Sequence, residues 1–259
     1  MPALSNPYDQ AAAATARAQQ SDPLIMYLVV RRERVLSRPW LLAAAGAATV
    51  QADRRFRVDP AWTTRCAAWH AGSFRKVTLR ANERDWAKLL ERFELVLGGA
   101  PEAPFVAVLP PRARSEVEPF LRTLQAYVID PAELPDEPRP PTGAPTVLIA
   151  INPSLVMSAG KLVAQVAHAA LMSADAPFEL GAGSAWAAAV TGWEAGGCPI
   201  ALAPRITAPG WERGLAELPC VVVTDFGLTE IAAGSRTVLA TRPLDSAALT
   251  AAQALLTTG

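Results

Sequence analysis

The sequence predicts an α/β protein built as a tandem pair of small domains, each a sheet with helices on both faces. Three observations lead there. Two apolar, β-branched runs are each followed by a helical segment. A tryptophan motif occurs twice at a nearly constant offset. A proline-rich stretch separates the two copies.

Taken in order, residues 1–21 are polar and Ala-rich and are expected to form a disordered or frayed tail. Residues 24–30, LIMYLVV, read as a buried strand, and a helical pattern follows over 36–51. Trp62, Trp69, Ala71 and Gly72 spell W-x6-W-x-A-G. Tryptophans seven apart share one helix face and can anchor it to a sheet. Strands are expected at 76–80 and 105–109. Residues 131–145, PAELPDEPRPPTGAP, hold six prolines and read as a linker.

The pattern then repeats. TVLIAI, residues 146–151, reads as a strand, and 157–173 as a helix. Trp186, Trp193, Ala195 and Gly196 restate the motif at an offset of 124. Further strands are expected at 200–206, 220–224 and 237–241, and a closing helix at 246–256. The expected organisation is therefore a tail (1–21), a first domain (22–130), a linker (131–145) and a second domain (146–259). Such self-similarity points to an internal duplication.

The chain has 259 residues, 51% hydrophobic, which is ample for one or two cores. Its net charge of zero hides an asymmetry. Residues 1–130 carry 18 Lys/Arg against 13 Asp/Glu, about +5; residues 131–259 carry 6 against 11, about −5. Basic clusters occur at Arg31, Arg32, Arg34 and Arg38, and at Arg54, Arg55 and Arg57. Each suits either a solvated face or phosphate contacts. Cys66, Cys198 and Cys220 are far apart in apolar surroundings and read as buried thiols in a reducing compartment. With two histidines, His70 and His168, and no ligand-spaced pair, no metal site is expected. No secretory leader pattern or membrane-length apolar run is present in the sequence, so a cytoplasmic protein is expected.

The repeat serves as an internal control. Lys161, Gln165 and His168 form a polar stripe on an otherwise apolar helix, behind an N-cap at Ser158 and a small residue at Gly160. The first copy has Trp40, Ala44 and Ala47 at these positions. A stripe kept for packing should persist in both copies; one kept for chemistry can vanish from one. Asp225 closes the 220–224 strand and is followed by Gly227, Thr229 and Glu230. Aligning this strand with 105–109 sets Pro110 against Asp225 and Arg114 against Thr229.

Met157 to Ala170, M-S-A-G-K-L-V-A-Q-V-A-H-A-A, resembles the signature of the type 2 peptidyl-tRNA hydrolases. Asp225 to Ala240, D-F-G-L-T-E-I-A-A-G-S-R-T-V-L-A, resembles that family's second signature. The resemblance covers about 110 residues of the second half; the first half keeps the outline with few of the polar positions. It implies a four-stranded mixed sheet flanked by helices. It also implies hydrolysis of the ester between peptide and tRNA without metal or cofactor. Lys161, Asp225 and Thr229 would be catalytic, and Ser158, Gly160, Gln165, His168, Gly227 and Thr237 would bind substrate. Family members form homodimers, so a tandem chain is expected to be an intramolecular pseudodimer. The sequence departs from the family at Val156 and Ala159, where lysines are common, and at Ser154, where an acid is. Residues 146–259 carry 5 basic and 8 acidic side chains, about −3. Arg31, Arg32 and Arg34 are therefore the expected tRNA phosphate contacts. The alternatives are an inactive scaffold or RNA-binding module on the same fold, and an enzyme of unrelated chemistry.

Overall fold

The computed structural model describes residues 22–35, 37–72, 74–137, 145–180 and 184–258. The expected tail, the middle of the linker and the expected start of the first helix at Leu36 lie outside them. The protein is α/β, with eight helices and two mixed sheets among the described residues.

The first half runs β1 (Leu24–Arg31), α1 (Arg38–Val58), α2 (Thr63–Ala71), β2 (Arg75–Ala81), α3 (Glu83–Arg92), β3 (Val96–Ala100), β4 (Ala103–Val108), β5 (Arg112–Ala113), α4 (Pro119–Thr123) and β6 (Gln125–Ala126). The second runs β7 (Thr146–Ile151), α5 (Ala159–Leu180), α6 (Ala185–Ala195), β8 (Ile200–Leu202), α7 (Ala208–Glu217), β9 (Cys220–Thr224), β10 (Arg236–Leu244) and α8 (Ser246–Thr257). The second sheet has four strands, as expected. The first has six, because the short strands β5 and β6 pair with β1 and β2.

The two sheets share one plan. The first is ordered β3-β4-β1-β2, continuing to β6; the second, read from the same end, is β9-β10-β7-β8. In each, the two strands joined by the helix pair are parallel and the other neighbours antiparallel. Local details repeat as well. Ser37 and Ser158, 121 residues apart, each accept from the backbone N–H three residues on. Trp69 Nε1 donates to the Arg75 carbonyl at 2.9 Å, and Trp193 Nε1 to the Pro199 carbonyl at 2.8 Å. Phe74 and Cys198, at the same offset as the tryptophans, both hold a left-handed backbone, with φ of 55° and 59°.

The shared plan corrects one alignment. By strand order β9 corresponds to β3, not to β4. Asp225 therefore matches the end of β3, where a tight two-residue turn, Pro101–Glu102, leads into β4. The second copy has the loop 225–235 instead. Pro110 and Arg114 are not its counterparts.

The halves are not separate bodies with separate cores. One continuous cluster of buried side chains runs from Met26 and Val30 in β1 through α1 and α5 to Val238 and Ala240 in β10. α1 and α5 lie side by side: a Cβ on Gly46 would lie 3.4 Å from both Val166 Cγ1 and Ala170 Cβ of α5, and 2.6 Å from Ile200 Cδ1 of β8. Smaller clusters fill the outer faces. Trp86, Leu89, Phe120 and Leu121 cover the first sheet; Trp211, Leu215, Ala252 and Leu256 cover the second. The expected linker is partly built in: 131–133 form a 3₁₀ turn, and the Pro135 carbonyl accepts from Arg38 N.

Arg54 and Arg57 do not form a solvent-facing basic patch. They fasten α1 to α5 and α6. Arg54 pairs with Asp53 (3.1 Å), Asp175 (2.8 Å) and Glu194 (2.8 Å), and Arg57 with Asp53 (2.6 Å) and Asp175 (3.2 Å). Burial alone would push the Asp53 carboxyl up. The hydrogen bond and charge of His70, with Arg57 and Arg54, outweigh it and hold the carboxyl below its ordinary value. Ligand atoms of Asp53, His70 and Asp175 come within 4.8 Å of one another, spacing that could hold a metal ion, but the Arg57 guanidinium already sits among them. All three cysteines are free and buried, and burial pushes their thiols up, to about 11 for Cys66 and Cys220 and about 12 for Cys198. Among the described residues, no helix is long and apolar enough to cross a membrane.

Candidate active site

A cleft of about 640 Å³ lies where the N-terminal end of α5 and the loop after β9 meet β2 and the segment after β6. Both halves line it. The second contributes Lys161, Gln165, His168, Asp225, Thr229 and Glu230; the first contributes Lys76, Thr78 and Tyr127.

Asp225 is fixed by the way β9 ends. Its N–H donates to the Ser235 carbonyl at 2.9 Å, and its own carbonyl accepts from Gly234 N at 2.8 Å, closing the loop at its base. Asp225 Oδ1 accepts from Gly227 N at 2.8 Å. Gly227 has φ of 74°, and a Cβ there would lie 2.9 Å from Ala233 N, so the turn needs glycine. The carboxylate is thereby aimed at α5.

Helical spacing then supplies its partners. Lys161 and Gln165 are four apart on one face of α5. Lys161 Nζ forms an ion pair with Asp225 Oδ2 and donates to Thr229 Oγ1 at 2.9 Å. Gln165 Nε2 donates to the same Oδ2 at 2.8 Å, and Gln165 Oε1 accepts from the Thr237 hydroxyl at 2.8 Å. Asp225, Gln165 and Thr237 are buried, and the Lys161 side chain is 12% exposed at the cleft wall. Of the sequence candidates, Lys161, Asp225, Thr229, Gln165, Gly227 and Thr237 thus form one connected group.

Ser158 and Gly160 have other tasks. A helix start ordinarily offers free N–H groups to phosphate. Instead Ser158 N donates to Glu230 Oε1 at 3.0 Å, Ala159 N to the Ile129 carbonyl at 3.0 Å, and Lys161 N to Ser158 Oγ at 3.3 Å. An anion there would also meet the Glu230 carboxylate. Gly160 is needed for close approach: a Cβ would lie 2.3 Å from the Tyr127 carbonyl oxygen. Val156 is almost fully exposed, whereas Ala159 is buried beneath the segment after β6, where a long charged side chain has no room.

His168 stands two turns along α5 and touches the other half. Its Nδ1 is 2.9 Å from Lys76 Nζ, and its ring lies 5.1 Å from Phe74. Burial lowers the His168 imidazole well below its ordinary pKa, and the charges of Lys76 and Lys161 push the same way. Burial likewise lowers the Lys76 amine well below the usual lysine value, and the charges of Asp53 and Asp175, which act the other way, do not offset it. The sequence reading missed Lys76. One signal was available: only three of the 24 basic residues are lysine, and two of them line this cleft. Lysine can lose its proton and arginine cannot, so a sequence that uses arginine almost everywhere marks its lysines.

Arg31, Arg32 and Arg34 lie elsewhere. Arg31 ends β1, whereas the cleft uses Ile25 and Tyr27 near its start. Four residues of strand from Tyr27 to Arg31 span about 13 Å. Arg31 and Arg34 both pair with Glu83, and Arg32 with Glu33.

The equivalent position in the first half is filled. Trp40, the counterpart of Lys161, packs on Phe105 with ring centroids 4.3 Å apart, and Phe105 occupies the strand position of Thr237. The single polar centre therefore belongs to the second half, with the first as one wall. No family model matches the chain, and no similar curated protein was found.

Proposed function

We propose that the cleft hydrolyses the ester joining a peptide to tRNA. The observation that carries this reading is the Lys161 ammonium, held by Asp225 and Thr229 at the wall of an open cleft. Ester hydrolysis needs positive charge where the oxyanion develops and a water aimed at the carbonyl carbon. Two of the three Lys161 N–H groups are taken by Asp225 and Thr229, so one is available to the cleft. Thr229 Oγ1 accepts from Lys161, which leaves its hydrogen to donate to a water or to the carbonyl oxygen. Asp225 already accepts from Lys161, Gln165 and Gly227, so its part is to position Lys161. Water adds to the carbonyl carbon, the bond to the ribose oxygen breaks, and that oxygen leaves with a proton. The exposed side chains of Phe226 and Leu228 border the cleft and suit an apolar acyl or peptide portion. With the first half as the opposite wall, the chain would work as an intramolecular pair.

The test is release of the acyl group from purified N-blocked aminoacyl-tRNA. Lys161→Met is expected to reduce kcat by about 10²–10³, as for loss of a single oxyanion donor. Wild-type protein that is folded yet releases nothing would sink the hydrolase reading. One observation favours the alternative of a binding module: Asp225 already accepts from three donors within the protein. In that case tRNA is retained without turnover.

A further inference from the structure

We propose that Lys76 and His168 form an oxyanion subsite in the cleft that takes the phosphate or carboxylate group of a ligand. The subsite is separate from the Lys161–Asp225 centre. Seven residues of α-helix separate His168 from Lys161, about 10 Å along the axis.

The three lysines differ in their partners. Lys88 pairs with Asp85 at 3.6 Å, and Lys161 pairs with Asp225. Among the described residues, no carboxylate lies within ion-pairing distance of Lys76. Its neighbours are His168 Nδ1 at 2.9 Å and the rings of Phe74 and Trp69, at 3.7 Å and 4.6 Å from the amine.

This set of groups has a definite hydrogen-bonding sense. A protonated Lys76 donates to Nδ1, so the imidazole hydrogen sits on Nε2. The pair then presents only donors to the cleft: the remaining amine hydrogens and Nε2–H. A donor-only pair without a counter-ion is complemented by an acceptor with negative charge, and a second cation would be repelled. The aromatic floor attracts the ammonium and keeps water from one side of it, which strengthens whatever bond the open side makes.

The charges around Lys76 agree with this. His168 faces it from α5, and the charge of Lys161 on the same helix acts on His168. Asp175, also on α5, and Asp53 on α1 are engaged with Arg54 and Arg57. Burial by itself disfavours charge on both members of the pair. A bound oxyanion reverses that preference for Lys76. Binding therefore favours uptake of a proton and weakens as pH rises. None of this depends on whether the Lys161 centre hydrolyses an ester.

Titration calorimetry of the full chain at neutral pH, with inorganic phosphate and separately with acetate, tests the subsite. Saturable one-site binding is expected for the wild type and for Lys88→Met. Lys76→Met is expected to bind at least about tenfold more weakly, the scale of one charge-assisted hydrogen bond. Tighter binding of phosphate would assign a phosphate-bearing ligand, and tighter binding of acetate a carboxylate. No saturable binding of either anion by the wild type, or equal binding by Lys76→Met, would overturn the proposal. If circular dichroism shows Lys76→Met unfolded, His168→Gln replaces it, with the same tenfold loss expected and unchanged binding again decisive against.

Discussion

Gln165 holds Asp225 in place through a hydrogen bond of 2.8 Å from its Nε2 to Oδ2, and its own orientation is set by the Thr237 hydroxyl at 2.8 Å on the other side. Because Oε1 accepts from Thr237, the amide has one allowed flip, and the donor end must face the carboxylate. Helix α5, strand β10 and the end of β9 are thus joined by one buried side chain.

Replacing Gln165 by Leu removes both bonds and leaves the buried Asp225 and Thr237 each short of a partner. The expected loss of stability is about 1–3 kcal/mol, the scale of unsatisfied buried polar groups. Urea unfolding measures it. On the hydrolase reading, turnover should fall as well, because Asp225 then holds Lys161 less firmly.

Gly160→Ala probes the seam between the halves. The added Cβ would lie 2.3 Å from the Tyr127 carbonyl oxygen, a backbone atom that cannot swing aside. A loss of about 1–3 kcal/mol is expected from overpacking. An unchanged unfolding midpoint would mean that the segment after β6 is not clamped on α5.

The network around Asp53 should outweigh the surface pairs. Asp53 is fully buried and shared by Arg54, Arg57 and His70. Asp53→Ala leaves two guanidinium groups without that carboxylate, and about 3–5 kcal/mol of stability should go with it. Glu83→Ala breaks the pairs to Arg31 and Arg34, where the glutamate side chain is 48% exposed, and should change stability by under about 1 kcal/mol. Comparing the two unfolding midpoints checks the ranking.

His168 gives the stability a pH dependence of fixed sign. Its folded pKa is lowered by burial and by Lys76 and Lys161, while the unfolded chain titrates near the ordinary value of about 6.5. As pH falls through that value the unfolded state binds the proton first, so stability falls from about pH 7 toward pH 5. His168→Gln should flatten this part of the Tm profile. An equally steep fall in the variant would assign the dependence to other groups.

Much of the fold was legible before any coordinate. Strands 146–151 and 220–224 match β7 and β9, and the closing helix differs by one residue at its end, because apolar runs bounded by turn and cap residues announce themselves. Both helix pairs end at the alanine of the tryptophan motif, with its glycine as C-cap. The stripe of Lys161 and Gln165 followed from helical period alone. Less could be read where distant segments meet. The 200–206 strand stops at Leu202, and the first sheet gains two short strands, because pairing partners rather than propensity set those limits.

The sequence by itself determined the repeat, the order of elements and the identity of most polar groups at the site, since these depend on local period and composition. Tertiary structure alone decided that the halves share one core. It also decided that Arg54 and Arg57 of α1 pair with acids of α5 and α6, that Ile129 and Glu230 occupy the start of α5, and that Lys76 crosses from the first half to meet His168. Each of these is a contact between residues far apart in the chain, and which remote group satisfies a buried charge or an open N–H is fixed only when the packed elements bring the two together.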